Sequence, residues 1–344
     1  MDDKFIRYIK NSIKTFELDL TDLNVFVPIL SKYSSVFPIM ASLAGAKEVF
    51  AITDDLDTIN RTAMYQQQYD WETEVNFIND INQQMLPKLD IIVKGDDTSY
   101  FDKKIINFIK QDCVISYFSQ NFDFSAVSGI DVESCTEKNI KILLLNPNCK
   151  ELGLFKHLSH LILKRCYENE INLFKSKILL LGGGELTENI LSILKSVGAN
   201  VFSASTTRPE DKDYALRHIS DAEALIICEY PTNSASIIGN NGFLNISEIK
   251  EKNSEIKIMH LSGRIEMNPL ILSGLEYYPD TIIQNSLNLN IRETGLKLIS
   301  DTAAAILKSA ESLIKYPNKS IQFNDSVVSF RVANSKDTAL IGSN

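Results

Sequence analysis

The run Lys177-Ile178-Leu179-Leu180-Leu181 leads directly into Gly182-Gly183-Gly184-Glu185-Leu186-Thr187. A strand that empties into glycines and then a helix start is the setting a dinucleotide-binding loop needs. Gly182 permits the tight turn, and Gly184 lets the backbone approach a pyrophosphate. The first amides of the helix, those of Glu185, Leu186 and Thr187, then face the anion. Thr187 holds the place of the third glycine of GxGxxG, where a side chain is expected to loosen helix–strand packing slightly. A glycine turn of purely structural use fits the same residues, and the position at the head of a βαβ series favours the nucleotide. The following strand ends Ser203-Ala204-Ser205-Thr206-Thr207-Arg208, with no acid for a ribose 2′-hydroxyl. Thr206 and Arg208 suit a 2′-phosphate, which implies NADP; Arg208 reads equally well as a solvated loop charge.

Four histidines limit the search for a general acid/base. His260 closes an apolar strand, and the carboxyl ends of parallel strands face the ligand crevice, so it is the best candidate. His157 and His160 lie three apart on one helix face and read as packed core residues. His218 reads as surface. No HxxxH, HExxH or Cys/His cluster suggests a metal. Ser262 lacks the Gly-x-Ser-x-Gly elbow of a hydrolytic nucleophile. Asp54 and Asp55 follow a strand, but the loop preceding that unit has no glycines, so they read as loop or helix-cap residues.

The elements that must position these groups are legible as alternation. Short apolar runs at 26–30, 48–52, 90–93, 113–116 and 141–145 are separated by helix-length stretches, the first at 33–45. A second series at 178–181, 200–202, 224–227 and 256–259 follows one long helical pattern over 151–174. Another long amphipathic helix is expected at 291–315, and a strand at 326–330. Continuous apolar strands alternating with helices argue for parallel sheets built from βαβ units.

The 344 residues divide naturally into two domains. Lys+Arg number 35 against Asp+Glu 44, a formal charge of −9, which makes nucleic acid a poor partner. No window reaches the 18 apolar residues of a membrane span, and the N-terminal MDDKFIRYIK begins with acids and lacks an apolar core, so it reads as no signal peptide. Five cysteines without a CxxC pair read as reduced thiols, placing the protein in the cytoplasm.

Beyond these patterns, residues 88–300 resemble the D-2-hydroxyacid dehydrogenase family. The resemblance rests on Asp90-Ile91-Ile92-Val93-Lys94, on Gly129-Ile130-Asp131-Val132-Glu133, and on the turn Asn146-Pro147-Asn148. The helix from Lys156 to Arg165, the loop Glu229-Tyr230-Pro231-Thr232 and the strand Ile258 to Arg264 continue it in order and spacing. It implies an α/β fold of two Rossmann-like or flavodoxin-like domains with parallel sheets, joined by two long helices. Residues 1–150 with 291–344 would form a flavodoxin-like substrate domain, and 151–290 a Rossmann domain, with a cleft between them. It also implies an NAD- or NADP-dependent oxidoreductase acting on a small anionic hydroxy or oxo substrate, and a homodimer.

The family's chemistry is only partly represented. Its substrate-anchoring Arg corresponds to Arg264, offset by an exchange with Gly263. The segment carrying its acid is essentially deleted, Gln284-Asn285-Ser286 replaces its histidine motif, and Ser119-Gln120-Asn121-Phe122-Asp123 replaces its glycine-rich turn. On this reading the cofactor contacts are Gly182, Gly184, Glu185, Leu186, Thr187, Thr206, Arg208, Tyr230, Pro231 and Thr232. His260 and Arg264 are the catalytic candidates, and Lys94 and Arg292 join Arg264 in holding substrate. The alternative is a catalytically degenerate nucleotide-binding protein of the same fold, used as sensor, scaffold or partner subunit.

Overall fold

The computed structural model describes residues 2–28, 35–69, 71, 73–95, 101–118, 129–145, 149, 152–230, 235–284, 286–290, 293–316 and 330–333. The chain divides into two compact units, the second being Gly153–Glu293 and the first comprising the described residues on either side of it. The divisions fall just ahead of the two long helices.

The first unit runs α1 (Asp2–Thr15), β1 (Asn24–Pro28), α2 (Val36–Leu43), β2 (Glu48–Ile52), α3 (Leu56–Tyr69), β3 (Val75–Ile78) and β4 (Ile91–Gly95). It continues α4 (Lys103–Phe108), β5 (Val114–Phe118), α5 (Val132–Glu137) and β6 (Lys141–Leu145). The second unit runs α6 (Leu154–Glu168), β7 (Lys177–Gly183), α7 (Glu185–Ser196), β8 (Asn200–Ala204), α8 (Asp211–Ile219), β9 (Ala224–Glu229), β10 (Ser236–Gly239) and β11 (Leu244–Asn245). Then come α9 (Ile246–Lys252), β12 (Lys257–Ser262), β13 (Arg264–Ile265), α10 (Met267–Ser273) and β14 (Tyr277–Tyr278). The first unit is completed by α11 (Leu296–Lys315) and β15 (Phe330–Ala333).

The burial patterns explain which runs become which strands. Every residue of β5 and of β9 is buried, as expected of strands covered on both faces. β2 alternates between buried and partly buried, since the sheet ends one strand further on, at β3. Helix α11 is buried around nearly its whole circumference rather than along one stripe. The pattern expected over 151–174 stops at Glu168: Asn169 caps the helix and Glu170 takes a positive φ of 54°. Of the strand expected at 326–330, only Phe330 is described, as the first residue of β15; Ile29 and Leu30 also lie outside the described residues.

In the first unit the parallel strands run β3-β2-β1-β4-β5-β6, with β15 antiparallel on β6. Numbered from the first strand, this is 3-2-1-4-5-6, the Rossmann order. In the second unit the main sheet runs β8-β7-β9-β12-β14, all parallel, which is 2-1-3-4-5, the flavodoxin order. A small sheet, β11-β10-β13, lies beside the second one. Among the described residues no helix is long and apolar enough to cross a membrane.

Candidate nucleotide site

In a 2-1-3-4-5 sheet the chain reverses direction between the first and third strands, and ligands bind outside the carboxyl ends at that point. Here those strands are β7 and β9, paired in register from Ile178↔Ala224 to Gly183↔Glu229. The glycines at the end of β7 are not equivalent. A Cβ on Gly182 (φ 139°) would lie 1.7 Å from the Cys228 carbonyl oxygen, and one on Gly184 (φ 91°) 2.3 Å from that of Tyr230. Both glycines let β7 turn tightly against the end of β9. Gly183 has open space where a side chain would start, with nothing within 4 Å.

Gly184 then opens α7, and no side chain caps that end. The first intrahelical bond runs from the Glu188 amide to the Gly184 carbonyl at 3.2 Å, which leaves the amides of Glu185, Leu186 and Thr187 outside the ladder. Such a terminus can hold an anion. Glu185 is an exposed carboxylate in that first turn: it stabilises the helix and repels a diphosphate. Thr187, the expected weak point, is a tether instead. Its buried hydroxyl lies 2.6 Å from the Cys228 carbonyl and 3.0 Å from that of Gly183, tying α7 to both strands. On the backbone the loop fits a dinucleotide; its side chains make the surroundings acidic.

The far side of the crevice departs from the 2′-phosphate reading. Arg208 is exposed and its Nη2 meets Asp211 Oδ2 at 3.1 Å, while the same oxygen accepts from the Ser205 amide at 2.8 Å. Thr206 donates its hydroxyl to Glu229 Oε1. Glu229, only 5% exposed, was not singled out as a cofactor contact in the sequence. Its signal was available: one acid at the carboxyl end of the otherwise apolar run Ala224–Cys228. Tyr230 sets its ring edge-on to Phe155, with centroids 5.6 Å apart.

The catalytic candidates are placed differently from expectation. His260 has no exposed surface, and both ring nitrogens are engaged. Nε2 donates to the Gly263 carbonyl at 2.8 Å, and Nδ1 accepts from Asn288 Nδ2 at 3.0 Å. A carbonyl can only accept and an amide nitrogen only donate, so these partners fix the neutral Nε2–H tautomer. Burial lowers the pKa from 6.5 to about 4. His260 thus fastens Asn288 to β12, with both ring nitrogens engaged. Gly263 takes a φ of 109°, a backbone conformation that side-chain-bearing residues rarely adopt.

Arg264 is exposed on β13, whose partner is β10 in the small sheet. Lys94, in the first unit, is fully buried, with its ammonium 2.7 Å from the Gly95 carbonyl. His218 stacks on Phe202 at 3.8 Å and meets the edge of Tyr214, so it is packed rather than solvated. His160 is exposed and His157 partly buried, neither being the core residue expected. Pro231, Thr232, Arg292, the turn Asn146-Pro147-Asn148 and the segment Ser119–Asp123 lie outside the described residues. Among the described residues, no three His, Cys, Asp or Glu groups converge as they would on a metal ion.

No protein-family model matches the sequence, and a comparison with curated proteins found no match. Solved structures are. A dipicolinate synthase from Bacillus subtilis aligns with a TM-score of 0.59 at 12% identity, over 86% of this chain and 99% of that one. The chain has the two-domain Rossmann-like dehydrogenase fold. The dipicolinate synthase of Bacillus halodurans gives a TM-score of 0.54 at 12% identity, over 88% and 99% of the two chains. The pyruvate reductase of Chlamydomonas reinhardtii gives 0.52 at 11%, over 86% and 97%. At such identities the likeness is one of fold.

Proposed function

We propose that this chain is a nicotinamide-dinucleotide-dependent oxidoreductase acting on a small anionic hydroxy or oxo acid. The observation that carries the reading is the uncapped start of α7 behind Gly182 and Gly184, at the point where the second unit's sheet reverses direction. The amides of Glu185, Leu186 and Thr187 hold the diphosphate, and Tyr230 flanks it. A bound dinucleotide supplies the hydride acceptor or donor; the chain's own groups bind and orient. Arg264, exposed on β13, is the residue we assign to the substrate carboxylate. Dipicolinate and pyruvate, named for the fold neighbours, are both small carboxylates. The five cysteines are buried thiols, in keeping with a reducing, cytoplasmic setting. A homodimer, drawn from the family resemblance, is checked by light scattering.

One observation favours a second reading, a nucleotide-binding protein without redox turnover: both nitrogens of His260 are committed to structure. Titration with NADH, followed by assay against a panel of 2-oxo acids, separates the two. Turnover supports the first reading, and binding alone the second. Charge reversal at the helix start tests the site itself. Glu185→Lys removes the acid facing the diphosphate and should tighten NADH binding about tenfold at low ionic strength, less at high salt. An unchanged dissociation constant would remove α7 from the proposal, and a wild-type protein that binds no dinucleotide would end it.

A further inference from the structure

An acid at the end of a buried strand has to be hydrogen-bonded, because burying a polar group without a partner is costly. Glu229 meets that demand across the sheet rather than along it. It sits on β9 opposite Gly183, and its carboxylate accepts the hydroxyl of Thr206, two residues beyond the end of β8. The strands stand in the order β8-β7-β9, so the bond spans the carboxyl end of β7, alongside the glycine turn. In dinucleotide-binding folds the loop after the second strand supplies the acid that reads the adenosine ribose. Here that loop reads Ser205-Thr206-Thr207-Arg208-Pro209-Glu210 and has no acid at its start. Its one cation, Arg208, is paired with Asp211, which also accepts from the Ser205 amide.

We infer that Glu229 is the cofactor-selecting residue, delivering from β9 the carboxylate that this loop lacks. The inference rests on the nucleotide reading above. The carboxylate that accepts the Thr206 hydroxyl can accept a ribose 2′-hydroxyl in its place, a charge-assisted bond of the same kind. A 2′-phosphate would bring a second anion into the same place, with Asp211 adding a third nearby. The site therefore takes NAD(H) and rejects NADP(H), the opposite of the preference that Arg208 indicates in the sequence.

The test compares dissociation constants of NADH and NADPH for the full chain by fluorescence titration. Wild type should prefer NADH by about a hundredfold. Glu229→Gln keeps the shape and can still accept from Thr206; it should weaken NADH about tenfold and tighten NADPH, collapsing the preference. Thr206→Val removes the hydroxyl that competes with the ribose and should tighten NADH binding. A purely structural clasp predicts the opposite: both variants lose NADH and NADPH by one common factor. That result, or a wild-type preference for NADPH, overturns the assignment while leaving the nucleotide site standing. Failure of wild type to bind either dinucleotide takes down both.

Discussion

Gly182→Ala should cost the second unit about 4 kcal/mol or more, lowering its melting temperature by about 8–16 °C, whereas Gly183→Ala, one residue on, should leave it within about 1 °C of wild type. The contrast follows from where each Cβ would start. At Gly182 it would overlap the Cys228 carbonyl, 1.7 Å from the oxygen and 2.4 Å from the carbon, in a backbone conformation with φ 139°. That carbonyl cannot move aside, because it belongs to the β7–β9 pairing and lies 2.6 Å from the Thr187 hydroxyl. Relief requires the two central strands to part, and residues such as Leu179, Leu181, Leu225 and Ile227 lose their packing with them. At Gly183 nothing lies within 4 Å. Differential scanning calorimetry of the two variants decides the matter; equal melting temperatures would mean the turn is not pressed against β9. Gly184→Val belongs with Gly182. Its Cβ would meet the Tyr230 carbonyl oxygen at 2.3 Å, so loss of binding would come with loss of fold.

The second large effect concerns acid. His260 is neutral in the folded state with its pKa held at about 4, against 6.5 for the ordinary side chain. Between those values the unfolded chain binds a proton that the folded chain does not, so stability rises with pH across that interval. Stability is therefore full above about pH 6.5 and is lost progressively as pH falls toward 4, by about 3 kcal/mol from this group. Melting curves from pH 7 to 5 should show the slope, above the range in which ordinary carboxylates titrate. His260→Gln should lower the melting temperature at neutral pH and flatten the slope. A slope that survives the substitution would assign the acid sensitivity elsewhere. A histidine that exchanged protons with substrate would behave otherwise, its loss stopping turnover with little effect on melting.

The parts of this protein legible in its sequence were those fixed locally. Lys141–Leu145 and Glu48–Ile52 are strands over the expected residues because four consecutive apolar residues between turn signals leave few other options. The glycine loop and the two long helices were equally clear. What escaped was set by distant partners. The two-residue strands β11, β13 and β14 carry no period of their own and exist only through pairing. Strand order is likewise a property of pairing between distant segments. His260 lies inside β12, which runs on to Ser262, and Asn288 and Gly263, from two different turns, claim its ring. Thr187 looked like a defect because its contact with the Cys228 carbonyl lies 41 positions away in the chain.

The interrupted architecture of the first unit has a bearing on how the polypeptide is born. Its core is completed by α11, where Ala303, Ala304, Ala305, Ile306 and Leu307 are fully enclosed, and that helix is encoded after the whole second unit. On the ribosome, translating the roughly 140 intervening residues at about 5–20 residues per second takes on the order of ten seconds. For that time the nascent amino-terminal half must wait without the helix that covers it. The second unit, contiguous in the message, can fold on emergence, and the first can close only once α11 has followed it. Slowing translation past Leu296 should thus prolong the aggregation-prone interval of the first unit and leave the second unaffected.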